Sequence, residues 1–156
     1  MLKANELRIG DFVTDINSTI NAFRIDEISL EDNGYQLIMY PNLPDNTRSL
    51  VILPLSLAKP IPITEEILLK SGFACTHGYD PMEDTDIPKD NLFFKYDNDT
   101  GADVHLLNDQ EFYLVEDCDS YIQRRRELTG LHDLQNFYFS LTGKELEINL
   151  EMLFNK

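Results

Sequence analysis

The segment Lys59-Pro60-Ile61-Pro62-Ile63 divides this chain. Each proline removes a backbone donor, fixes its own φ at about −65° and pushes the preceding residue out of the helical region. Neither a helix nor a central strand runs through such a segment; it reads as an extended connector. Before it, apolar residues recur in short runs separated by turn residues. After it, two helical patterns stand among further short runs. The expectation is two subdomains, 1–59 and 60–156, or the two halves of one domain. At 156 residues the chain matches a single domain of ~100–200 residues and can bury roughly two-thirds of its unfolded surface.

The first stretch predicts strands. Leu7-Arg8-Ile9 leads through a turn at Gly10-Asp11 into Phe12-Val13. Ala22 to Leu30 follows, with Phe23, Ile25, Ile28 and Leu30 seeking a core and a bulge where the alternation slips. Asp32-Asn33-Gly34 is a hairpin signal before a strand from Tyr35 to Tyr40, and Leu50 to Leu53 forms another strand after a loop. Short strands at roughly 8–12-residue spacing predict a small rolled sheet or barrel, of SH3-like type.

The second stretch opens with a helix. Thr64 is placed to cap it, Glu65 and Glu66 suit its positive end, Lys70 its last turn and Gly72 its left-handed exit, with Ile67, Leu68 and Leu69 as the apolar face. Strands follow at Leu92 to Tyr96, Val104 to Leu107 and Phe112 to Val115. Leu131, Leu134, Tyr138 and Leu141 recur at helical spacing, between a cap at Thr129 and a stop at Gly143. The fold class is therefore α+β: a small SH3-like barrel or rolled sheet, then an antiparallel sheet with two helices.

Charge limits function. The chain carries 28 acids against 13 bases, net −15, a poor field for gripping phosphate backbones, so direct nucleic-acid binding is not expected. Residues 61–156 hold 20 of the acids and 8 of the bases. No apolar run is long enough to span a bilayer, residues 1–6 lack a secretory signal, and two cysteines, Cys75 and Cys118, are too few for a disulfide framework. A cytoplasmic protein is expected.

Chemical motifs are sparse. Asp99-Thr100-Gly101-Ala102-Asp103 resembles the active-site loop of retropepsin-type aspartic proteases, in which two aspartates share a proton to activate water. That resemblance would make Asp99 catalytic. The same residues also spell an ordinary hairpin turn, and no glycine-rich flap accompanies them. The acidic run from Asp80 to Asp90 lacks calcium-loop spacing, with Met82 at the third position and Thr85 at the sixth. Cys75-Thr76-His77 suggests half of a zinc site, but a structural site needs four ligands and the other candidates, His105, Cys118 and His132, are scattered singly, so no metal or cofactor is expected. Arg124-Arg125-Arg126 is the sole basic run.

Three stretches, residues 4–13 (Ala4-Asn5-Glu6-Leu7-Arg8-Ile9-Gly10-Asp11-Phe12-Val13), residues 60–66 and residues 131–146 (from Leu131-His132-Asp133-Leu134-Gln135-Asn136 to Gly143-Lys144-Glu145-Leu146), together resemble a family of small proteins of gut Bacteroidetes, many carried on prophages or other mobile elements. The resemblance implies that setting and brings no activity with it. His132 stands where that family often has a histidine. Phe137, Tyr138 and Phe139 are consecutive and cannot all face one core, so Tyr138 and Phe139, with His132, are the candidates for contact with a second surface. The favoured expectation is a non-enzymatic protein-binding module with an unidentified protein partner, a second copy of the chain being one form of it. The alternatives are a DNA mimic presenting the acids of residues 80–119, and a protease using Asp99.

Overall fold

A computed structural model describes residues 2–17, 22–41, 50–75, 92–109, 111–118 and 121–148. Among these residues the chain is α+β, with two antiparallel five-stranded sheets and two α-helices. The first sheet contains β1 (Phe12–Asp15), β2 (Ala22–Glu31), β3 (Gly34–Pro41), β4 (Val51–Pro54) and β5 (Ala58–Pro60), in the order β4-β3-β2-β1-β5. Among the described residues its outer strands β4 and β5 do not pair with each other, so the expected barrel is not closed. The second contains β6 (Ala74–Cys75), β7 (Leu92–Tyr96), β8 (Asp103–Asp109), β9 (Glu111–Cys118) and β10 (Tyr121–Glu127), in the order β10-β9-β8-β7-β6. Helix α1 (Glu65–Lys70) follows the connector and α2 (Leu131–Thr142) follows β10.

Local signals account for much of this. Thr64 caps α1, its hydroxyl accepting the Ile67 N–H at 3.2 Å, and Gly72 leaves the helix at φ 82°. The slip in β2 is a bulge between Ile25 and Glu27, which keeps Phe23 and Ile25 in the core. Beyond it the expected pattern fails at Leu30, which is 69% exposed and outside the apolar cluster that Ile28 still packs against. Leu7-Arg8-Ile9 is not a strand. A 3₁₀ turn at Ala4–Glu6 precedes it, the Arg8 N–H turns onto the Asp11 carboxylate at 2.8 Å, and Gly10 reverses the chain at φ 98°. Leu69 and Leu141 also point outward; Leu69 is about 100° past Leu68 and about 200° past Ile67, off the buried face, whereas Leu141 lies in line with Leu134 but in the last turn of α2.

Two apolar clusters form. One lies within the first sheet, from Leu2 and Leu7 to Leu53 and Ala58. The other gathers α1, α2 and the second sheet around Leu68, Phe93, Leu106, Leu131 and Leu134, and it also takes Phe12 and Ala22 from the first sheet. The proline-spaced connector belongs to this second cluster through Ile61 and Ile63. Its backbone meets α2 directly, the Leu131 N–H donating to the Ile61 carbonyl at 2.8 Å. The N-cap of α2 is Gly130, not Thr129. A side chain at 130 would place its Cβ 2.6 Å from Pro60, so only glycine admits this approach, and Thr129 instead donates its N–H and O–H to Asp133 at 3.2 Å.

Candidate functional site

Polar chemistry concentrates where the two sheets are stitched together. Gln135, 1% exposed on α2, behaves as a missing strand residue: its Oε1 accepts the Phe12 N–H at 2.9 Å and its Nε2 donates to the Gly10 carbonyl at 3.2 Å. Its neighbour Asn136 donates to the Glu6 carbonyl and to Asp11 Oδ2, at 2.9 and 3.1 Å, and accepts from Arg8 Nε at 2.8 Å. The Arg8 guanidinium grips the Glu145 carboxylate with two bonds of 2.6 and 3.0 Å and lies 4.1 Å from the centre of the Phe139 ring. Asp11 sits beneath, with no exposed surface. Its Oδ1 lacks a hydrogen bond and faces Arg8 at 3.8 Å. Burial outweighs the help of the Arg8 N–H, the Arg8 charge and Asn136, and pushes the Asp11 carboxyl up to about 6.

A second knot closes the β7–β8 turn. Asp97 Oδ1 accepts from the N–H groups of Asp99 and Thr100 and from the Thr100 hydroxyl, at 3.1, 2.9 and 2.9 Å. Its Oδ2 accepts from Tyr138 at 3.2 Å. Lys144 reaches both Asp97 oxygens at 3.0 Å and Asp99 Oδ2 at 2.6 Å. The turn donors and the Lys144 ammonium hold Asp97 well below the usual carboxylate range, while burial and Asp97 push the Tyr138 hydroxyl up. The signal in the sequence was Asp97 itself, two and three residues before the amides that it binds.

These placements correct the candidates. Tyr138 is 4% exposed and its ring belongs to the second core, so it is not a surface contact, and Tyr138→Ala would test the core and not a partner. Tyr138→Phe, which removes only the bond to Asp97, is expected to cost about 1 kcal/mol, read as a small drop in urea midpoint at constant slope; an unchanged midpoint refutes the role given to that bond. His132 is likewise interior, 1% exposed with Nδ1 unpartnered, and burial lowers its pKa. Phe139 lies under the Arg8 guanidinium and, alone of the three candidates, stays at the surface, 37% exposed. Asp99 sits on an exposed turn, paired with Lys144 and not with a second carboxylate.

Residues 80–90 and His77 lie outside the described residues, as do the side chains of Asp109, Glu111, Glu116, Asp117 and Cys118, so most of the acids proposed for DNA mimicry fall there too. Cys75 is half-buried against the second core, and His105 pairs with Asp103 at 3.0 Å. Among the described residues no group of three His, Cys, Asp or Glu side chains is placed to hold a metal ion, and no helix is long and apolar enough to cross a membrane.

The feature that points outward is strand β4. It pairs with β3 on one side, Met39 with Val51 through Gln36 with Pro54, and among the described residues it ends the sheet on the other. Leu53 enters the core while Ile52 is 55% and the adjoining Leu50 53% exposed. Ile52, Ile38 and Glu27 share one register row across β4, β3 and β2, so an apolar tongue runs along the sheet's outer face to its open rim. The sequence marked Leu50 to Leu53 as a strand, but an edge position is decided by topology. No family model, no curated protein and no solved structure matches the chain.

Proposed function

We propose that this chain is a non-enzymatic protein-binding module, and that the rim formed by Leu50, Ile52 and the neighbouring Ile38 is where it binds. The observation that carries the reading is the exposure of Leu50 and Ile52 beside the half-buried Ile38, at a sheet edge that no described strand covers. The setting on a prophage or other mobile element, and with it a cytoplasmic location, rests on the resemblance carried by residues 4–13, 60–66 and 131–146. Those stretches build the junction between the sheets, through Arg8, Gly10, Gln135 and Asn136, so the resemblance speaks of shared architecture. An SH3-like identity for the first sheet belongs to the same proposal. The order β4-β3-β2-β1-β5 and the 3₁₀ turn at Leu55–Leu57 between β4 and β5 support it.

The test is a paired affinity capture from host lysate with the wild-type chain and Ile52→Lys. An exposed substitution of this kind moves stability by only about 0.5 kcal/mol, so both baits fold. Proteins retained by the wild type and lost by the variant are the expected result. Identical retention by both, or none by either, removes the reading.

A further inference from the structure

Among the described residues the two sheets have four edges, which differ in how they resist pairing with another strand. Edge strands are normally blunted by charge, proline, bulges or shortness. Strand β10 carries Arg124, Arg125 and Arg126 with a bulge between Arg124 and Arg126. Strand β5 is three residues long, with Lys59 and Pro60 in it; the described part of β6, Ala74–Cys75, ends where the described residues end. Strand β4 is different. Val51, Ile52 and Leu53 with the preceding Leu50 are four consecutive aliphatic residues, without charge or bulge, and Pro54 stands only at the strand's end.

We infer that β4 is an acceptor edge to which an extended, cationic segment of another protein adds as a sixth strand of the first sheet. This rests on the protein-binding reading and specifies its mode and its partner. Strand addition supplies main-chain hydrogen bonds from the open side of β4, and alternate apolar side chains of the incoming strand lie against Ile52 on the outer face and Val51 on the other. The sign of the partner follows from charge. The chain is at −15, and Asp26, Glu27, Glu31 and Asp32 are exposed on β2 and its turn. A second copy would bring the same excess of acid to the rim, whereas a segment bearing lysine or arginine is drawn to it and held beside a neutral strand.

The probe is an eight-residue peptide of alternating lysine and valine, with its glutamate–valine counterpart as control, titrated into the full ¹⁵N-labelled chain. Expected are amide shifts centred on residues 50–54, slowed hydrogen exchange in β4, loss of binding in high salt, and binding about tenfold weaker for Ile52→Lys, which sets like charges side by side across the new pair. Shifts scattered over the acidic surface, equal binding of the glutamate–valine peptide, or no shift at the solubility limit of the lysine peptide overturn the inference. So does a wild-type chain that sediments as a dimer with β4 already protected from exchange. If the peptide fails while the capture still loses its protein in Ile52→Lys, strand addition falls and the binding module stands.

Discussion

Gln135→Leu is expected to lose about 2–5 kcal/mol of stability although it leaves side-chain volume nearly unchanged. Leucine fills the space of the glutamine but leaves the Phe12 N–H and the Gly10 carbonyl buried without partners. Each such orphan costs about 1–3 kcal/mol. Both lie where the chain leaves the Gly10 turn for β1, so the penalty falls on the seam joining α2 to the first sheet. Urea unfolding followed by far-ultraviolet circular dichroism measures it. A midpoint within the error of the wild type shows that the seam does not depend on this amide. A second transition in the variant, with the first sheet melting apart from the second, would show that Gln135 couples the two cores.

Asp11→Asn is expected to stabilise the protein at pH 8 by about 2–3 kcal/mol and to have little effect at pH 4. The folded carboxyl titrates at about 6 against 3.8 for the free side chain, and every tenfold change in proton affinity between the folded and unfolded states corresponds to about 1.4 kcal/mol. Because the folded value is raised, the folded state binds the extra proton between those two values. The contribution of Asp11 is thus fully present below pH 3.8 and is lost as the pH rises through about 6. Asparagine stays neutral throughout and its oxygen can still accept from the Arg8 N–H and from Asn136. His132 shifts the other way: its lowered pKa means that stability falls as the pH drops through its titration. Asp97, with a lowered pKa, contributes stability that is present above about 4 and lost in stronger acid. Only the difference between wild type and Asp11→Asn isolates the buried carboxyl. Unfolding curves for the two proteins that stay parallel from pH 4 to 8 would mean that Asp11 is ionised throughout, with Arg8 supplying more than its 3.8 Å separation suggests.

The two predictions share an origin in how the chain ends are used. Arg8, Gly10, Asp11 and Phe12 are joined to Gln135, Asn136 and Glu145, more than 120 residues away. The sequence shows the turn at Gly10-Asp11 and the amphipathic helix near the C-terminus, each from local chemistry. That a glutamine on that helix substitutes for a strand partner is invisible locally, since a glutamine at that spacing reads as one polar residue on an apolar face. The same holds for Lys144, which reads as a surface lysine and turns out to tie Asp97 to Asp99 across the β7–β8 turn.

What the sequence determined by itself are the features set within a few residues. These are the hairpin at Asp32-Asn33-Gly34, the Thr64 cap, the extended connector at Pro60 and Pro62, the bulge in β2 and the α+β class. Backbone sterics, capping and side-chain period act over three or four residues and need no knowledge of the rest of the chain. Tertiary structure alone decided which of the described strands became edges, that His132 went inside while Leu30 and Leu141 stayed out, and that a charge-free strand came to lie at the rim of the described sheet. Burial and edge position are properties of what packs alongside a residue, and that neighbour is often a hundred positions away. A short apolar run such as Leu50 to Leu53 is written the same way whether its far side meets another strand or water.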